Sequence, residues 1–357
     1  MSMAVAAAAK PGAALGGSPR ILVIRLRRLG DLLLITPTLR AIRLAYPSAR
    51  IDVLVSAGFH HALTGNTRID QLLVLRQGLD SWIRVLTTCH RRHYDVVLDL
   101  QSSPRSVPFV IFSGAPLRVG WKKRWMRDWA YNRLVPGWDE PVYVARNTLR
   151  AAAAIGILPP ADTRLELAIS AADRARAAAL FANARIDPAR PVIALSVVAK
   201  VERKAWALER YAALADRLIR LHQAQIVLSS GSGELPQVAA VVERMRERPA
   251  LWNYGETTVQ ELGAIYERCN LWIGNDGGPK HVATAVGRPT VVIIRGGDAR
   301  FWTDCAGESG QLAVQPPPGT FPNDSLSAVT VEQVAAVVNR CLNTLVPCPL
   351  SQSPDLG

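Results

Sequence analysis

Short apolar runs alternate with amphipathic segments twice along this chain, and the rhythm breaks once in between. Residues 21–26, 51–55, 71–75 and 96–100 read as strands, and a helix after Asp31 carries Leu32, Leu33, Leu39, Ile42 and Leu44. Runs of this length, apolar throughout, suit strands covered on both faces by helices. Around residues 160–190 the pattern loosens into Pro159-Pro160, an Ala/Arg-rich helix and Asp187-Pro188-Ala-Arg-Pro191. It then restarts, with strands expected at 192–195, 226–229, 271–273 and 290–294 and helices near 208–221, 236–246 and 258–268. Thr258 with Glu261 three residues later makes a capping box for the last of these. The reading is an α/β chain of two Rossmann-like domains, 20–165 and 191–345, joined by a linker at 166–190, with loose tails at 1–19 and 346–357. Two such units should face each other across a cleft at the carboxyl ends of their strands, where open parallel sheets bind ligands.

Composition narrows the class. The 357 residues, 49% hydrophobic, are enough to fill a core in each domain. No apolar run reaches the ~18 residues that suggest a membrane span. The five cysteines (Cys89, Cys269, Cys305, Cys341, Cys348) are scattered and form no C-x-x-C pair, which argues against a disulfide framework or zinc knuckle and for a reducing cytoplasm. The net charge of +13 is uneven: residues 20–166 hold 22 Lys and Arg against 11 Asp and Glu, and residues 167–357 hold 19 against 18. The first half therefore suits an anionic partner.

Two segments carry candidate chemistry. In Leu271-Trp-Ile-Gly-Asn-Asp-Gly-Gly-Pro-Lys-His281, a strand ends at a glycine turn and Pro279 suits the first position of a helix. Gly277 and Gly278 let the backbone approach a ligand closely, and exposed amides at such a helix start favour an anion. In Ile21-Leu-Val-Ile-Arg-Leu-Arg-Arg-Leu-Gly-Asp-Leu-Leu-Leu-Ile-Thr-Pro37, Gly30-Asp31 opens a helix directly after a strand. Asp31 is either a cap for that helix or a functional acid at the cleft. No G-x-G-x-x-G follows the strand, so a nicotinamide dinucleotide site is not expected there.

Residues 25–37 resemble the opening signature of the glycosyltransferase family 9 heptosyltransferases, and residues 274–281 resemble their G-x-D-[ST]-G-x-x-H segment. Tyr94-Asp-Val-Val-Leu-Asp-Leu-Gln101, Gly114-Ala-Pro-Leu-Arg-Val-Gly120 and Lys204-Ala-Trp206 are similar to the family's intervening blocks, in the same order. The resemblance implies a GT-B fold, with the nucleotide-sugar donor on the C-terminal domain and the acceptor on the N-terminal one. It implies ADP-heptose, or another nucleotide sugar, as donor and inner-core lipopolysaccharide as acceptor. Asp31 would be the general base of a single inverting displacement, with Gly30 beside it at the donor. Lys204 and the amides around Gly277, Gly278 and Pro279 would hold the leaving diphosphate. Glu234, in Gly231-Ser-Gly-Glu234, would bind ribose hydroxyls or simply start a helix. Asp276 would lie near the donor sugar or ribose, and His281 matches the family's helix histidine or packs the turn. No cofactor or metal is expected, and the chain shows no D-x-D pair.

The chain also departs from the family pattern. Gly277 replaces the usual Ser or Thr, Val197-Val-Ala-Lys-Val-Glu-Arg203 replaces small polar residues, Ala207 replaces a Pro, and Arg295-Gly-Gly-Asp298 replaces a Phe-Gly-Pro-Thr-type turn. Donor identity is therefore the softest inference. On the acceptor side, Arg105, Arg118 and Lys122 are candidates for an anionic, lipid-linked saccharide. Trp121, Trp125 and Trp129, spaced four apart among Lys122, Lys123, Arg124 and Arg127, suggest either an interfacial helix on the inner-leaflet surface or tryptophans packed onto the domain with the charges in water. On the first reading the chain would be peripheral to the cytoplasmic face of the inner membrane. Two alternatives stand: a GT-B transferase or sugar-nucleotide epimerase with another donor, and a nucleic-acid-binding protein. The second lacks any recognisable RNA or DNA module, so no nucleic-acid partner is expected.

Overall fold

The computed structural model describes residues 15–122, 128–136, 141–199, 201–231, 233–304, 310–317 and 326–344. The chain divides into two compact units at Thr163/Arg164. Among the described residues each unit holds one sheet in which every strand pair is parallel.

The first unit's strands are β1 (Arg20–Ile24), β2 (Arg50–Ser56), β3 (Gln71–Leu75), β4 (Val96–Asp99), β5 (Leu117–Trp121) and β6 (Arg133–Val135), in the order β3-β2-β1-β4-β5-β6. This is the Rossmann strand order, and its reversal lies between β1 and β4. The central strands are fully buried, which explains their uninterrupted apolar runs. The helix expected after Asp31 is two helices, Leu29–Leu33 and Thr36–Ala45. Pro37 cannot donate a helical hydrogen bond, so it starts a new helix instead of continuing the old one. The Thr36 hydroxyl donates to the Leu33 carbonyl (2.7 Å) across the break.

The second unit's strands are β7 (Val192–Ser196), β8 (Gln225–Ser229), β9 (Leu271–Asn275), β10 (Thr290–Ile293) and β11 (Gln311–Val314), in the order β11-β10-β9-β7-β8. Read from the other edge this is the flavodoxin-like 2-1-3-4-5 order, with its reversal between β7 and β9. Gly274 is required at that seam, because a Cβ there would lie 2.6 Å from the Ser196 carbonyl oxygen and 2.8 Å from the Trp272 ring. Thr258 and Glu261 form the capping box on helix Val259–Glu267.

The Ala/Arg-rich helix expected within 166–190 is Ala171–Asn183, held to the second unit by Arg174–Glu267 (2.8 Å) and Arg176–Glu261 (2.9 Å) ion pairs and by buried Ala177 and Phe181. Trp121 belongs to no interfacial helix: it is the last residue of β5, 2% exposed, and its indole donates to the Leu100 carbonyl (3.2 Å). Spacing by four imitated a helical face, yet Trp121 closes a strand whose last three residues, Val119, Gly120 and Trp121, are all buried. Trp125, Lys123, Arg124 and Arg127 lie outside the described residues, as do Cys305, Cys348 and most of both tails. Cys89, Cys269 and Cys341 are buried free thiols, and burial pushes Cys89 up to about 12. Among the described residues no helix is long and apolar enough to cross a membrane.

Candidate active site

In the first unit the reversal between β1 and β4 collects a charged pair. Strand β1 runs out into Arg25 and Leu26, Arg28 takes a left-handed backbone (φ 63°), and the chain turns at once into helix Leu29–Leu33. That turn brings Asp31 back over the strand end, where its carboxylate Oδ1 lies 3.0 Å from Arg25 NH2. Arg25 also donates from NH1 to the carbonyl of Leu100, the residue after β4. The guanidinium thus spans the strand reversal, and both side chains of the pair are mostly buried (8% and 13% exposed). Gly30 is buried inside the same short helix.

The floor beside this pair is built by Asp99 at the end of β4. Its carboxylate accepts from the amides of Gln101 (2.9 Å) and Ser102 (2.8 Å) and from the Tyr131 hydroxyl (2.7 Å). Burial nevertheless raises its pKa, against the pull of those donors. Tyr131 reaches Asp99 because Gly120 leaves room: a Cβ at 120 would lie 2.5 Å from the Tyr131 ring.

The three acceptor candidates fare differently. Arg105 follows β4 and places its guanidinium 6.0 Å from the Trp82 ring centre. Lys122, just beyond β5, is exposed. Arg118 is corrected: it sits two rungs behind Gly120 in β5, away from the carboxyl edge. There Nε and NH1 donate to the Ala130 and Ala115 carbonyls (both 2.9 Å), so it clamps the β5–β6 connection.

In the second unit the β7/β9 reversal also holds a charged pair. Lys204, in the turn Glu202–Lys204 after β7, places Nζ 2.7 Å from Oδ2 of Asp276, the residue after β9. The lysine is 25% exposed and the aspartate 7%. The neighbouring Trp206 fixes this geometry: its amide donates to Asn275 Oδ1 (3.1 Å), its indole donates to the Val329 carbonyl (2.9 Å), and its ring meets Tyr211 edge-on at 4.9 Å. Lys204 and Asp276 line a shallow recess with Ile293, Ile294, Arg295, Asp298 and Leu326.

Helix Gly278–Ala285 starts beside Asp276, with Pro279 in its first turn. Gly277 precedes it in extended backbone (φ −178°, ψ −173°), and a Cβ there would meet nothing closer than Pro279 Cδ at 3.8 Å. Glycine is therefore not a conformational requirement at 277. His281 is 3% exposed, and burial, then the nearby Lys280 and Lys204 charges, push its pKa well below the ordinary value. Its ring packs edge-on to Trp302 at 6.4 Å, and its buried Nδ1 has no hydrogen-bond partner. Glu234 stands just before helix Leu235–Arg244, and its carboxylate folds back to accept from the Gly231 amide (2.7 Å) instead of capping the helix. Among the described residues no group of three or more His, Cys, Asp or Glu side chains is placed to hold a metal.

A model of glycosyltransferase family 9 (heptosyltransferase) matches residues 82–313. The chain belongs to glycosyltransferase family 9. It is a glycosyltransferase, with the two parallel-sheet domains of the GT-B fold. It is 23% identical to lipopolysaccharide heptosyltransferase 3 of Escherichia coli, over 76% of this chain and 82% of that one. Its fold is similar to that of a family 9 glycosyltransferase from Veillonella parvula (TM-score 0.81, 23% identity, 92% of this chain and 99% of the other). It is also similar to that of E. coli ADP-heptose lipopolysaccharide heptosyltransferase II (TM-score 0.73, 22% identity, 91% and 98%).

Sequence reasoning singled out Asp31, Lys204 and Asp276 but missed Arg25, Arg295 and Asp298. Arg25 was in view as part of a motif, and a cation leaving an otherwise apolar strand six residues before an acid was its only signal. Arg295 and Asp298 were noted as a departure from the family pattern; their polarity directly after an apolar strand was the signal.

Proposed function

We propose that this family 9 glycosyltransferase moves heptose from ADP-heptose to a lipopolysaccharide core or a related anionic, lipid-linked saccharide. The acceptor hydroxyl gives its proton to Asp31 as its oxygen bonds to the anomeric carbon. The bond from that carbon to the diphosphate breaks in the same step, and its electron pair leaves with ADP. One displacement without a covalent intermediate inverts the anomeric centre. Lys204, with the amides of Gly277 and Gly278, stabilises the charge developing on the diphosphate, without a metal. Asp276 and Glu234 are assigned to the donor's hydroxyls and Arg105 and Lys122 to the acceptor's anionic groups. His281, buried and neutral, is assigned to positioning the turn.

The observation that carries this reading is the Lys204–Asp276 pair at the β7/β9 reversal, directly before a helix start. An ammonium ion, helix amides and a carboxylate together suit a diphosphate joined to a polyhydroxy group. The donor's identity is supported by the names of the relatives. A second reading, a different sugar on the nucleotide, is favoured by Arg295 and Asp298 in the recess. Action at the cytoplasmic membrane face is supported by the charge excess of the first unit and by exposed Leu79, Ile83, Phe112 and Trp129.

Thermal stabilisation by ADP and ADP-heptose, followed by a transfer assay with several lipid-linked acceptors and mass spectrometry of the products, tests the proposal. Selective stabilisation by UDP, or transfer of a sugar other than heptose, would replace the donor. Retention of the anomeric configuration would end the single-displacement mechanism.

A further inference from the structure

At the opposite end of the first sheet, the amino ends of the strands open into a cleft of about 120 Å³ lined by Arg20, Arg50, Asp52, Arg91, Arg92 and Tyr94. Arg20 and Arg50 begin β1 and β2 and are direct neighbours in the parallel register. Like charges placed opposite each other on adjacent strands repel. Arg91 ends helix Leu79–Arg91 and Arg92 follows it.

Only one carboxylate lines this cleft, and it is already in use. Asp52 is fully buried; its Oδ2 accepts from Arg92 NH1 and from the Tyr94 hydroxyl (2.7 Å). Arg92 also donates to Gln71, and Arg20 NH1 donates to the Arg92 carbonyl (2.9 Å). These contacts account for Arg92 and Asp52 as a structural pair, and the helix dipole accounts for some cationic charge at the end of Leu79–Arg91. They do not account for the rest. Arg50 comes no nearer to Asp52 than 3.7 Å, and among the described residues Arg91 makes no hydrogen bond or ion pair. Four guanidiniums stand against Asp52 in the cleft and Asp95 beside it, whose Oδ2 accepts from the Arg20 amide (2.7 Å), which leaves about two charges uncompensated in a concave site.

We propose that this cleft binds a phosphate-bearing anion, held by two-pronged contacts from Arg50 and Arg91 with Arg20 and Arg92 as its walls. Guanidinium forks match the geometry of phosphate oxygens. Strand β1 separates this cleft from Asp31 by five residues, about 16 Å at ~3.3 Å per residue. The site is therefore distinct from the one proposed for group transfer. A soluble phosphate ester and the phosphoryl headgroup of an anionic lipid offer the same chemistry.

The test uses the full chain with saturating ADP, so that the transfer site is filled. Inorganic pyrophosphate is titrated against chloride at matched ionic strength, reading the melting temperature. In parallel the protein is sedimented with phosphatidylcholine vesicles with and without phosphatidylglycerol. The double variant Arg50→Gln/Arg91→Gln changes exposed side chains and should leave ADP binding unchanged. In that variant the pyrophosphate affinity should fall about a hundredfold or more, the loss of two charge-assisted contacts. Loss of the pyrophosphate response alone identifies a soluble ligand, and loss of phosphatidylglycerol-dependent sedimentation as well identifies a headgroup. Equal responses of wild type and variant to both probes overturn the proposal. Arg91→Gln alone, which removes no contact, gives the same readout should the double variant fold poorly.

Discussion

Replacing Asp31 by Asn separates its proposed role as a base from its visible role as the partner of Arg25. Asn is nearly isosteric and keeps an oxygen that can accept from Arg25 NH2, so geometry is largely retained. What is lost is the charge. The Arg25 guanidinium, 7% exposed, keeps its bond to the Leu100 carbonyl but has a neutral partner where a carboxylate stood 3.0 Å away. Breaking a fully buried ion pair costs about 3–5 kcal/mol. With the oxygen retained and Asp31 13% exposed, about 1–3 kcal/mol is expected. That corresponds to a melting temperature lower by roughly 2–12 °C for a unit of this size. Removing a general base should lower turnover by about 10²–10⁴-fold, or about 2.7–5.4 kcal/mol of barrier. Arg25→Met is the control. It removes the partner and keeps the carboxylate, so it should lose at least as much stability but far less turnover. Circular dichroism melts combined with ADP release at 25 °C, where both variants remain folded, give the two numbers. If Asp31→Asn retains turnover, or if the two variants lose activity in equal measure, Asp31 is a structural counter-ion and the base lies elsewhere.

Lys204→Ala should weaken ADP binding about 10–100-fold by calorimetry, through loss of a charged contact to the diphosphate; unchanged affinity would remove Lys204 from the donor site. Gly277→Ser should fold normally and gain a few tenths of a kcal/mol, because the extended backbone and open space at 277 accept an N-cap serine. A melting temperature several degrees lower in that variant would contradict the geometry. His281 gives stability a pH dependence of defined sign. Its folded pKa is depressed by burial and by Lys280 and Lys204, so below the unfolded value of about 6.5 the unfolded chain binds the extra proton. Stability should fall as pH drops from about 6.5, by up to about 1.4 kcal/mol per pH unit, as read from urea midpoints at pH 7.5 and 5.5. His281→Gln should flatten that slope, and an unaltered slope would assign the acid sensitivity to other groups.

The strands that position the site were readable because parallel strands under helices on both faces must be apolar at every position, as at Ile21, Leu22, Val23 and Ile24. Helix Val259–Glu267 was readable from its capping box. Strand β5 was not, because half of Leu-Arg-Val-Gly-Trp looks like the start of the basic tryptophan segment. Only the fold shows Gly120 making room for Tyr131 and Trp121 turned inward. β6 and β11, with three and four residues, are too short to carry a period. Arg118 misled for a related reason: an arginine in a basic stretch gives no sign that backbone carbonyls will occupy it. The individual acids and the lysine were visible in motifs. Lys204 and Asp276, however, lie 72 residues apart, and only the adjacency of β7 and β9 in the strand order brings them together.

The two charged pairs follow one rule and differ in one informative way. Each sits at the reversal of its sheet, where neighbouring strand ends diverge and leave room outside the apolar core. In each, a poorly exposed carboxylate has a cation beside it, which avoids leaving a charge uncompensated in a site with little water. The cations are not interchangeable. Arg25 is a planar fork that holds the Leu100 carbonyl and Asp31 together, so it can fix the direction of a carboxylate without leaving its anchor. Lys204 is a point charge on a flexible stem, 25% exposed and, among the described residues, bonded to Asp276, so it can turn toward an arriving diphosphate. A rigid cation beside the proposed base and a movable one beside the proposed phosphates is the distribution that the two halves of the reaction call for. Exchanging them, with Arg25→Lys and Lys204→Arg, should therefore impair turnover through the first change and ADP release through the second.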